Sequence, residues 1–508
     1  MRESSVVASA PGTAGAFCDW LVPGGHGLPS QPGSWSNNPL GWPGYEQQLQ
    51  RSAAAADFDE AVTARHGQLF GTGPEVVALV WDFGFLGGSM GVRAGDRIVQ
   101  AYDYARAQRL PIVLAPSTGG ARMQEGMASL AQMVRTRAAS AHHGEAKLAQ
   151  VCVLRDPTCG GVLASHVASA HFTVALSGSR IALNGGRARG GRNGSPSAST
   201  HSDDLRLPPV VDRVVPVEEV RHVLEGWFAC VGEVEPRSPT TGRTARVVRP
   251  PTSGWESIVA ARSHERLTVP ALEQALGDRV ELRGDRSGAD DDVVRTHVAR
   301  HLGRPIVVVA VDRTTSPGTL SATGFRKAHR ALELAGALDL PLVTLLDTAG
   351  TDAETSSGGA ECAPLISSLI QRMLEAPVAT VAVLVGEGGS GGGIPFVVAD
   401  DVLACRTSAF PVIDPEAATG ILKLDHDAVA QVAGWMRPSA TDLWSLGIVD
   451  EVLDDRHGGD GAGDVWGQVV DRLARSAGPG SIQDRLVRWE GPPAGPGSRL
   501  RPVRPSTA

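Results

Sequence analysis

Leu110-Pro111-Ile112-Val113-Leu114 recurs as Leu340-Pro341-Leu342-Val343-Thr344, an offset of 230 residues, and that recurrence decides the fold. Both runs are short, apolar and bounded by turn-forming sequence, as strands are. Each follows a helix-like segment, residues 97–107 and 324–337, and leads into small residues, Ser117-Thr118-Gly119-Gly120 and Asp347-Thr348-Ala349-Gly350. Further on, Val151-Cys152-Val153-Leu154 ends in Cys159-Gly160-Gly161. Its counterpart Val381-Ala382-Val383-Leu384-Val385 ends in Ser390-Gly391-Gly392, now at an offset of 231. A third strand follows in both, at residues 172–176 and 402–405, and earlier strands are read at Val76-Val77-Ala78-Leu79-Val80-Trp81 and Pro305-Ile306-Val307-Val308-Val309-Ala310-Val311. Strand, glycine pair, helix, repeated within each half and then across the halves, describes a duplicated α/β chain with parallel sheets.

The rest of the chain is organised around these halves. Its 508 residues exceed one ordinary core and suit two or three domains. A net charge of −8 argues against nucleic acid as a partner, which needs a concentrated basic footprint. Only Lys147, Lys327 and Lys423 among the 47 cations are lysines, a bias read as genomic base composition. The N-terminal sequence lacks the apolar stretch of a signal peptide, and no run approaches the ~18 apolar residues of a membrane helix. Cys18, Cys152, Cys159, Cys230, Cys362 and Cys405 include no C-x-x-C pair, so neither a zinc ribbon nor a disulfide framework is indicated. These features predict a cytoplasmic chain with free thiols, without membrane or metal.

Residues 1–50, rich in Pro, Gly and Ser, read as an irregular arm, and residues 58–70 as a weak helix. A first domain is expected over 51–234, a linker over 235–253, a second domain over 254–480 and an irregular tail over 481–508. Residues 185–204 are low in complexity.

Two motifs compete at the second glycine cluster. Gly386-Glu387-Gly388-Gly389-Ser390-Gly391 fits G-x-G-x-x-G, the dinucleotide fingerprint, but sits late in its domain instead of at the first strand–helix turn. Gly388-Gly389-Ser390-Gly391-Gly392 fits the nucleophile elbow, with Asp414 and His426 as the available acid and base. Against the elbow, Cys159 stands where the first half should repeat the serine, while the two glycines persist. What the repeat keeps is bare backbone. Two unpaired N–H groups at the start of a helix form an oxyanion hole. Close helix–strand packing explains any single glycine pair as well; two equivalent pairs favour chemistry with two oxyanions.

Longer motifs carry a resemblance. Phe85-Leu86-Gly87-Gly88-Ser89-Met90-Gly91, Ser117-Thr118-Gly119-Gly120-Ala121-Arg122-Met123-Gln124-Glu125-Gly126 and Asp156-Pro157-Thr158-Cys159-Gly160-Gly161-Val162 are similar to the β subunit of bacterial acetyl-CoA carboxylase carboxyltransferase. Glu281-Leu282-Arg283-Gly284-Asp285-Arg286, Gly324-Phe325-Arg326-Lys327-Ala328, Asp347-Thr348-Ala349-Gly350 and Ile413-Asp414-Pro415-Glu416-Ala417, together with residues 386–393, are similar to the α subunit. The likeness covers roughly residues 75–184 and 254–455, β before α on one chain.

The resemblance implies two tandem crotonase-like domains built of ββα units, and transfer of a carboxyl group from carboxybiotin to the α-carbon of an acyl-CoA, with malonyl-CoA as the product from acetyl-CoA in fatty acid biosynthesis. It implies Gly160 and Gly161 as one oxyanion hole and Gly391 and Gly392 as the other, with Gly88, Gly119, Gly120, Ala121, Arg122 and Gly393 lining the substrates. Acyl-CoA then belongs to the first half and biotin to the second half of a partner subunit. The biotin anion takes the α-proton, so no protein base is required. No cofactor is expected to be bound covalently. Carboxybiotin comes on a biotin carboxyl carrier protein charged by a biotin carboxylase, because no ATP-binding region or biotin-attachment sequence is found, and the chain is expected to form a homodimer or larger homo-oligomer.

Several side chains keep two readings. Arg122 and Glu125, three apart on a helix opened by Gly120, suit an ion pair better than a substrate contact. Asp347, Glu387 and Glu416 are polar wall residues or caps and salt bridges; His142-His143 reads as a solvated helix end. Three departures stand out. The family's N-terminal four-cysteine zinc ribbon is absent, so no zinc is expected. Leu183-Asn184-Gly185-Gly186-Arg187 replaces G-x-A-G-P-R-V-I, and Thr315-Ser316-Pro317-Gly318-Thr319 replaces N-F-G-M-P. A malonyl-type thioester decarboxylase of the same fold and a weakened interaction subunit remain as alternatives.

Overall fold

The computed structural model describes residues 13–489, apart from 30, 32–35, 57, 161, 183–199, 202–209, 233–252, 317, 352–360, 456–460 and 477. Most of the low-complexity stretch, almost all of the expected linker, and Asn184 with its neighbours therefore lie outside the described residues. The chain divides into two units, Met1–Phe228 with Arg286–Ala289, and Ala229–Asp285 with Asp290–Ala508.

In chain order the first unit carries β1 (His26–Gly27), β2 (Val62–Gln68), β3 (Glu75–Trp81), β4 (Ile112–Ala115), β5 (Gln150–Leu154), β6 (Thr158–Cys159), β7 (Phe172–Leu176), β8 (Arg180–Ala182), β9 (Thr200–His201) and β10 (Arg213–Val215). One seven-stranded sheet has the order β1-β2-β3-β4-β5-β7-β10, and β6, β8 and β9 form a small second sheet. Pairing is antiparallel from β1 to β3 and parallel from β3 to β10. From Val76 to Trp81 every residue of β3 is buried, the continuous apolar run of a strand covered on both faces. One cover is the helix Val92–Ala107, whose Ala94, Ile98, Ala101 and Ala105 recur at helical spacing and join the sheet's core.

Another cover comes from the segment read as an irregular arm. Ala14–Leu21 is a helix, capped by the Thr13 hydroxyl, that buries Phe17, Cys18 and Leu21 and packs on β2 and β3. A second helix spans Tyr45–Ala55. The weak helix read at 58–70 is instead strand β2. It pairs with β3 from Val62↔Trp81 to Gln68↔Glu75, and that ladder overrides a half-buried pattern of ambiguous period.

The second unit carries β11 (Asp278–Leu282), β12 (Val294–His301), β13 (Arg304–Asp312), β14 (Leu342–Asp347), β15 (Thr380–Leu384), β16 (Asp401–Cys405) and β17 (Glu451–Leu453), which form one sheet in sequence order. Antiparallel pairing again gives way to parallel pairing, here at β13. Val77↔Ile112 in the first sheet matches Val307↔Leu342 in the second, and Val113↔Val151 matches Val343↔Val381, all at the 230-residue offset. The core gathers Leu272, Val308, Leu345, Val383, Leu403 and Trp466, whose indole donates to the Leu272 carbonyl at 2.9 Å. The irregular tail also needs correction. Ile482–Leu486 is a helix with a Ser481–Asp484 capping box, and its buried Arg485 pairs with Asp400 at 2.9 Å while donating to the carbonyls of Met373, Ala376 and Val378.

His143 is not a solvated helix end. It lies inside the helix Gly126–Glu145, buried, with Nε2 donating to the Leu110 carbonyl at 2.9 Å. Nearby His166 is fully buried, bonded to Thr136 Oγ1 at 2.9 Å and stacked on Tyr102. Burial pushes the His166 imidazole down to about 3, with the Arg137 charge adding to the shift, and depresses His143 against the pull of the Leu110 carbonyl. Unfolded histidines titrate near ~6.5, so below that pH the unfolded chain binds protons that the folded chain refuses. Stability of the first unit is therefore expected to fall as pH drops from ~6.5 toward 4, by up to about 1.4 kcal/mol per pH unit from His166, with His143 adding in the same direction. Thermal melts of wild type and His166→Gln check this, the variant showing the shallower dependence.

Candidate active site

In each unit the candidate residues collect beyond the carboxyl ends of the parallel strands, where open α/β sheets present their sites. In the first unit three loops meet there. β3 is followed by Asp82, whose Oδ1 accepts from Gly84 N at 2.8 Å and starts the turn toward Gly88. The loop after β4 is tied to that turn by Gly119 N to Gly87 O at 2.8 Å and Met90 N to Gly120 O at 2.8 Å. It is tied to the loop after β5 by Thr118 N to Pro157 O at 2.6 Å and Cys159 N to Thr118 O at 2.9 Å. The Thr118 hydroxyl accepts from Gly120 N at 3.0 Å, across a Gly120 held at φ +112°. Gly160, at φ +69°, then lies so near that a Cβ on it would stand 2.8 Å from Gly120 Cα. Among the described residues no acceptor takes the Gly160 N–H.

The second unit repeats this construction. Asp312 Oδ1 accepts from Thr314 N at 2.9 Å. Ala349 N donates to Gly318 O at 3.0 Å, Leu320 N to Gly350 O at 2.8 Å, and Thr348 N to Glu387 O at 2.8 Å. The Thr348 hydroxyl accepts from Gly350 N at 3.2 Å, with Gly350 at φ +122°. The glycine that closes on Gly350 is Gly389, at φ +67°, where a Cβ would stand 2.9 Å from Gly350 N.

The offset between the halves changes within this loop: Pro157 and Glu387, which accept from Thr118 and Thr348, are 230 apart, whereas Phe172 and Asp401 in the next strands are 229 apart. Gly160 shares its left-handed φ with both Gly389 and Ser390, and shares with Gly389 the close approach to the glycine of the preceding loop. The helices expected behind the glycine pairs are short, Leu163–Val167 in one half and, in the other, Ser390–Gly393 continued by the 3-10 turn Ile394–Val397, and Gly161 lies outside the described residues.

The remaining glycines separate by what surrounds them. A Cβ on Gly88 would overlap the Ser117 carbonyl, on Gly392 the Thr351 hydroxyl, and on Gly393 the Gly388 carbonyl, so packing within the chain alone requires these three to be bare. Gly391 is different. It is exposed, its φ is outside the left-handed region, and nothing lies within 4 Å of where its Cβ would be. Neither backbone conformation nor packing in this chain demands glycine there.

Comparisons with known proteins agree with this geometry. Residues 42–197 match the family model described as a carboxyl transferase domain, and residues 241–473 match one described as acetyl co-enzyme A carboxylase carboxyltransferase-like. A probable biotin-dependent acyl-coenzyme A carboxylase beta3 subunit of Mycobacterium tuberculosis is 34% identical over 430 residues, covering 83% of this chain and 86% of the relative. The chain belongs to the carboxyltransferase family of biotin-dependent acyl-CoA carboxylases. An acetyl-coenzyme A carboxylase carboxyl transferase subunits beta/alpha protein of Salinispora tropica is 36% identical over 440 residues, covering 81% of this chain and 76% of its own length. A transcarboxylase 12S crystal structure superposes with a TM-score of 0.71 at 18% identity, covering 96% of this chain and 91% of that one. The fold is two tandem crotonase-like domains.

Within this carboxyltransferase the strand-end loops are braced by buried and half-buried arginines. Arg122, 1% exposed, does not open onto a substrate space. It precedes a short 3-10 turn, with the long helix starting only at Gly126, and it pairs with Glu60 and, at 3.3 Å, with Glu125. Its Nη2 also donates to the Ser89 carbonyl at 2.8 Å, and the Tyr45 hydroxyl donates to Glu125. Glu125 accepts from Val92 N at 2.6 Å, at the start of the helix Val92–Ala107. Ala121 shares a bridge with Met90, so backbone pairing holds the position expected to line substrate.

In the second unit Arg262 grips both Glu387 oxygens at 3.0 Å and reaches Asp414 at 2.8 Å and Glu416 at 3.1 Å, while Arg313 also pairs with Glu387. Arg266 pairs with Asp347, which accepts from Glu387 N at 3.0 Å. Burial raises the Asp347 carboxyl against the pull of Arg266. Of the two readings for Asp347, Glu387 and Glu416, salt bridging is the one the structure displays.

The competing motifs do not assemble. Asp414 caps the helix Pro415–Ile421 and pairs with Arg262, and the Ser390 hydroxyl donates to the Val412 carbonyl at 2.5 Å, so no serine–histidine–acid relay forms. The G-x-G-x-x-G run follows β15, the fifth strand of its sheet. Among the described residues no group of three or more His, Cys, Asp or Glu is placed to hold a metal ion, and the six buried cysteines form no disulfide. No helix among the described residues is long and apolar enough to cross a membrane.

The division among the glycines is testable by melting. Gly393→Ala, forced against a carbonyl, is expected to lower Tm by about 5 °C or more. Gly391→Ala is expected to melt within about 1 °C of wild type, because the added methyl meets nothing.

Proposed function

We propose that this chain is the carboxyltransferase component that moves the carboxyl group of carboxybiotin, presented on a biotin carboxyl carrier protein and charged by a biotin carboxylase, to the α-carbon of acetyl-CoA or a related short acyl-CoA, giving malonyl-CoA or its homologue. The observation that carries the reading is Gly391: exposed, free of any packing reason to be glycine, and placed in the first turn after a strand end, where N–H groups lack intrahelical acceptors. A backbone donor aimed at developing negative charge contributes roughly 2.7–4 kcal/mol to a transition state. In this reading the Gly391 turn of the second unit stabilises the ureido oxygen as the N–carboxyl bond breaks and CO₂ departs. The Gly160 turn of the first unit, with Gly161 expected beside it, stabilises the thioester oxygen as the α-proton passes to the biotin nitrogen. The enolate carbon then attacks CO₂, so that the biotin gains the proton that the acyl-CoA loses. Glu60 and Glu125 in one unit and Glu387 and Asp347 in the other are tied to arginines, which suits a reaction whose base arrives with the substrate.

A homo-oligomer belongs to the same proposal. Met123, Met127, Leu130 and Val134 form an exposed apolar stripe along the start of the helix Gly126–Glu145, and Val412, Ile421, Leu422 and Trp435 are exposed in the second unit. Apolar surface of this kind marks interaction faces.

The test uses the full chain with carboxybiotinylated carrier and acetyl-CoA. Malonyl-CoA is expected from a preparation that light scattering shows to be a dimer or larger. Gly391→Leu is expected to keep its Tm while losing at least 100-fold in kcat. Release of CO₂ from malonyl-CoA without biotin favours the decarboxylase instead, and absence of both turnover and CoA binding favours an interaction subunit.

A further inference from the structure

The residue before Gly391 is Ser390, and its conformation is unusual. It sits at φ +58°, directly after Gly389 at φ +67°, so two successive residues occupy the left-handed region and the second carries a side chain. An L residue other than Gly, Asn or Asp enters that region rarely, and holds it when the surroundings fix it there. What fixes Ser390 is its own hydroxyl, which donates to the Val412 carbonyl at 2.5 Å.

Val412 lies in the segment joining β16 to the helix Pro415–Ile421, and that segment is fastened to the glycine loop elsewhere. Gly388 N donates to Ala409 O at 2.9 Å and Ala409 N to Gly386 O at 3.1 Å. A Cβ on Gly388 would fall inside the Phe410 ring. Arg262 joins Glu387 on the loop to Asp414 on the segment. Ser390 is the last of these fastenings before the chain reaches Gly391. The peptide plane between residues 390 and 391, which carries the Gly391 N–H, is oriented by the Ser390 ψ and the Gly391 φ angles.

We infer that Ser390 is a positioning residue for carboxyl transfer: its hydroxyl clasps the Val412 carbonyl, holds a left-handed turn, and thereby sets the direction of the Gly391 N–H. The inference rests on the function proposed above. It assigns the hydroxyl to geometry, with no bond made or broken at its oxygen.

Three variants of the full chain separate clasp from conformation. Ser390→Ala removes the hydroxyl while keeping a side chain that resists the left-handed region. Ser390→Gly removes the hydroxyl and the resistance. Ser390→Asn tolerates the region and restores a donor. Carboxyl transfer is expected to lose at least 10-fold in kcat in Ser390→Ala with KM for acyl-CoA changed less than twofold, to recover in part in Ser390→Gly, and to recover most in Ser390→Asn. Deuterium uptake of the peptide covering residues 386–394, measured without substrates, is expected to rise in Ser390→Ala and Ser390→Gly and to stay near wild type in Ser390→Asn. Equal uptake in all variants overturns the clasp, whatever the activity. Raised uptake with unchanged kcat overturns the positioning role. A wild-type chain that transfers no carboxyl group removes the reading beneath the inference and the positioning role with it, while the uptake data still decide whether the clasp exists.

Discussion

A threonine hydroxyl closing on the glycine amide two residues later fixes the strand-end loops of both units. Thr118 accepts from Gly120, and Thr348 from Gly350, with both glycines in the left-handed region that side chains avoid. That small ring turns the loop after the central strand so that its backbone lies flat against its neighbours. Only then do Gly160 and Gly389 reach their places, each near enough that a single added carbon would collide with the clip. The sheets bring three strand ends side by side; the clips determine how closely the loops beyond them pack, and hence which amides face outward.

Loops built from glycine have little side-chain area to bury, so they are held by charge. Arg122 in one unit and Arg262, Arg266 and Arg313 in the other each bind carboxylates on loops or helices beside the glycines. A planar guanidinium serves several acceptors at once, as Arg262 does with Glu387, Asp414 and Glu416, where an ammonium offers a single point of charge. Arg122 with Glu60 and Glu125 is the fully buried set, and removing one partner from such a set leaves an uncompensated charge, typically at a cost of about 3–5 kcal/mol. The composition that reads as base bias supplies the struts of both strand-end clusters.

Much of this was legible beforehand, because β3, β4, β5, β7 and their counterparts are short apolar runs whose spacing survives duplication. The threonine clips were legible too, in Ser117-Thr118-Gly119-Gly120 and Asp347-Thr348-Ala349-Gly350, had the shared Thr-x-Gly been weighed as a turn. The fine alignment of the two glycine clusters was not legible: Cys-Gly-Gly and Ser-Gly-Gly look alike as text, but one residue is lost between Pro157/Glu387 and Phe172/Asp401, and the left-handed φ of Gly160 recurs at both Gly389 and Ser390. The helix Ala14–Leu21 was hidden by the Pro- and Gly-rich sequence around it, and its burial of Phe17 depends on a sheet formed much later in the chain. The Arg122–Glu125 pair was legible in its three-residue spacing and the structure shows it, whereas the partner Glu60 lies 62 residues away, a contact that no local pattern reveals.

If the clips set the geometry on which transfer depends, their loss must be felt in turnover before it is felt in folding. The direct measurement is kcat for carboxyl transfer by Thr348→Val and Thr118→Val, beside their melting temperatures. Each change leaves one buried amide without its acceptor, a cost of about 1–3 kcal/mol that a folded chain can bear. Both variants should fold and lose at least 10-fold in kcat. Two variants that melt like wild type and turn over like wild type would contradict the claim that these clips govern the site.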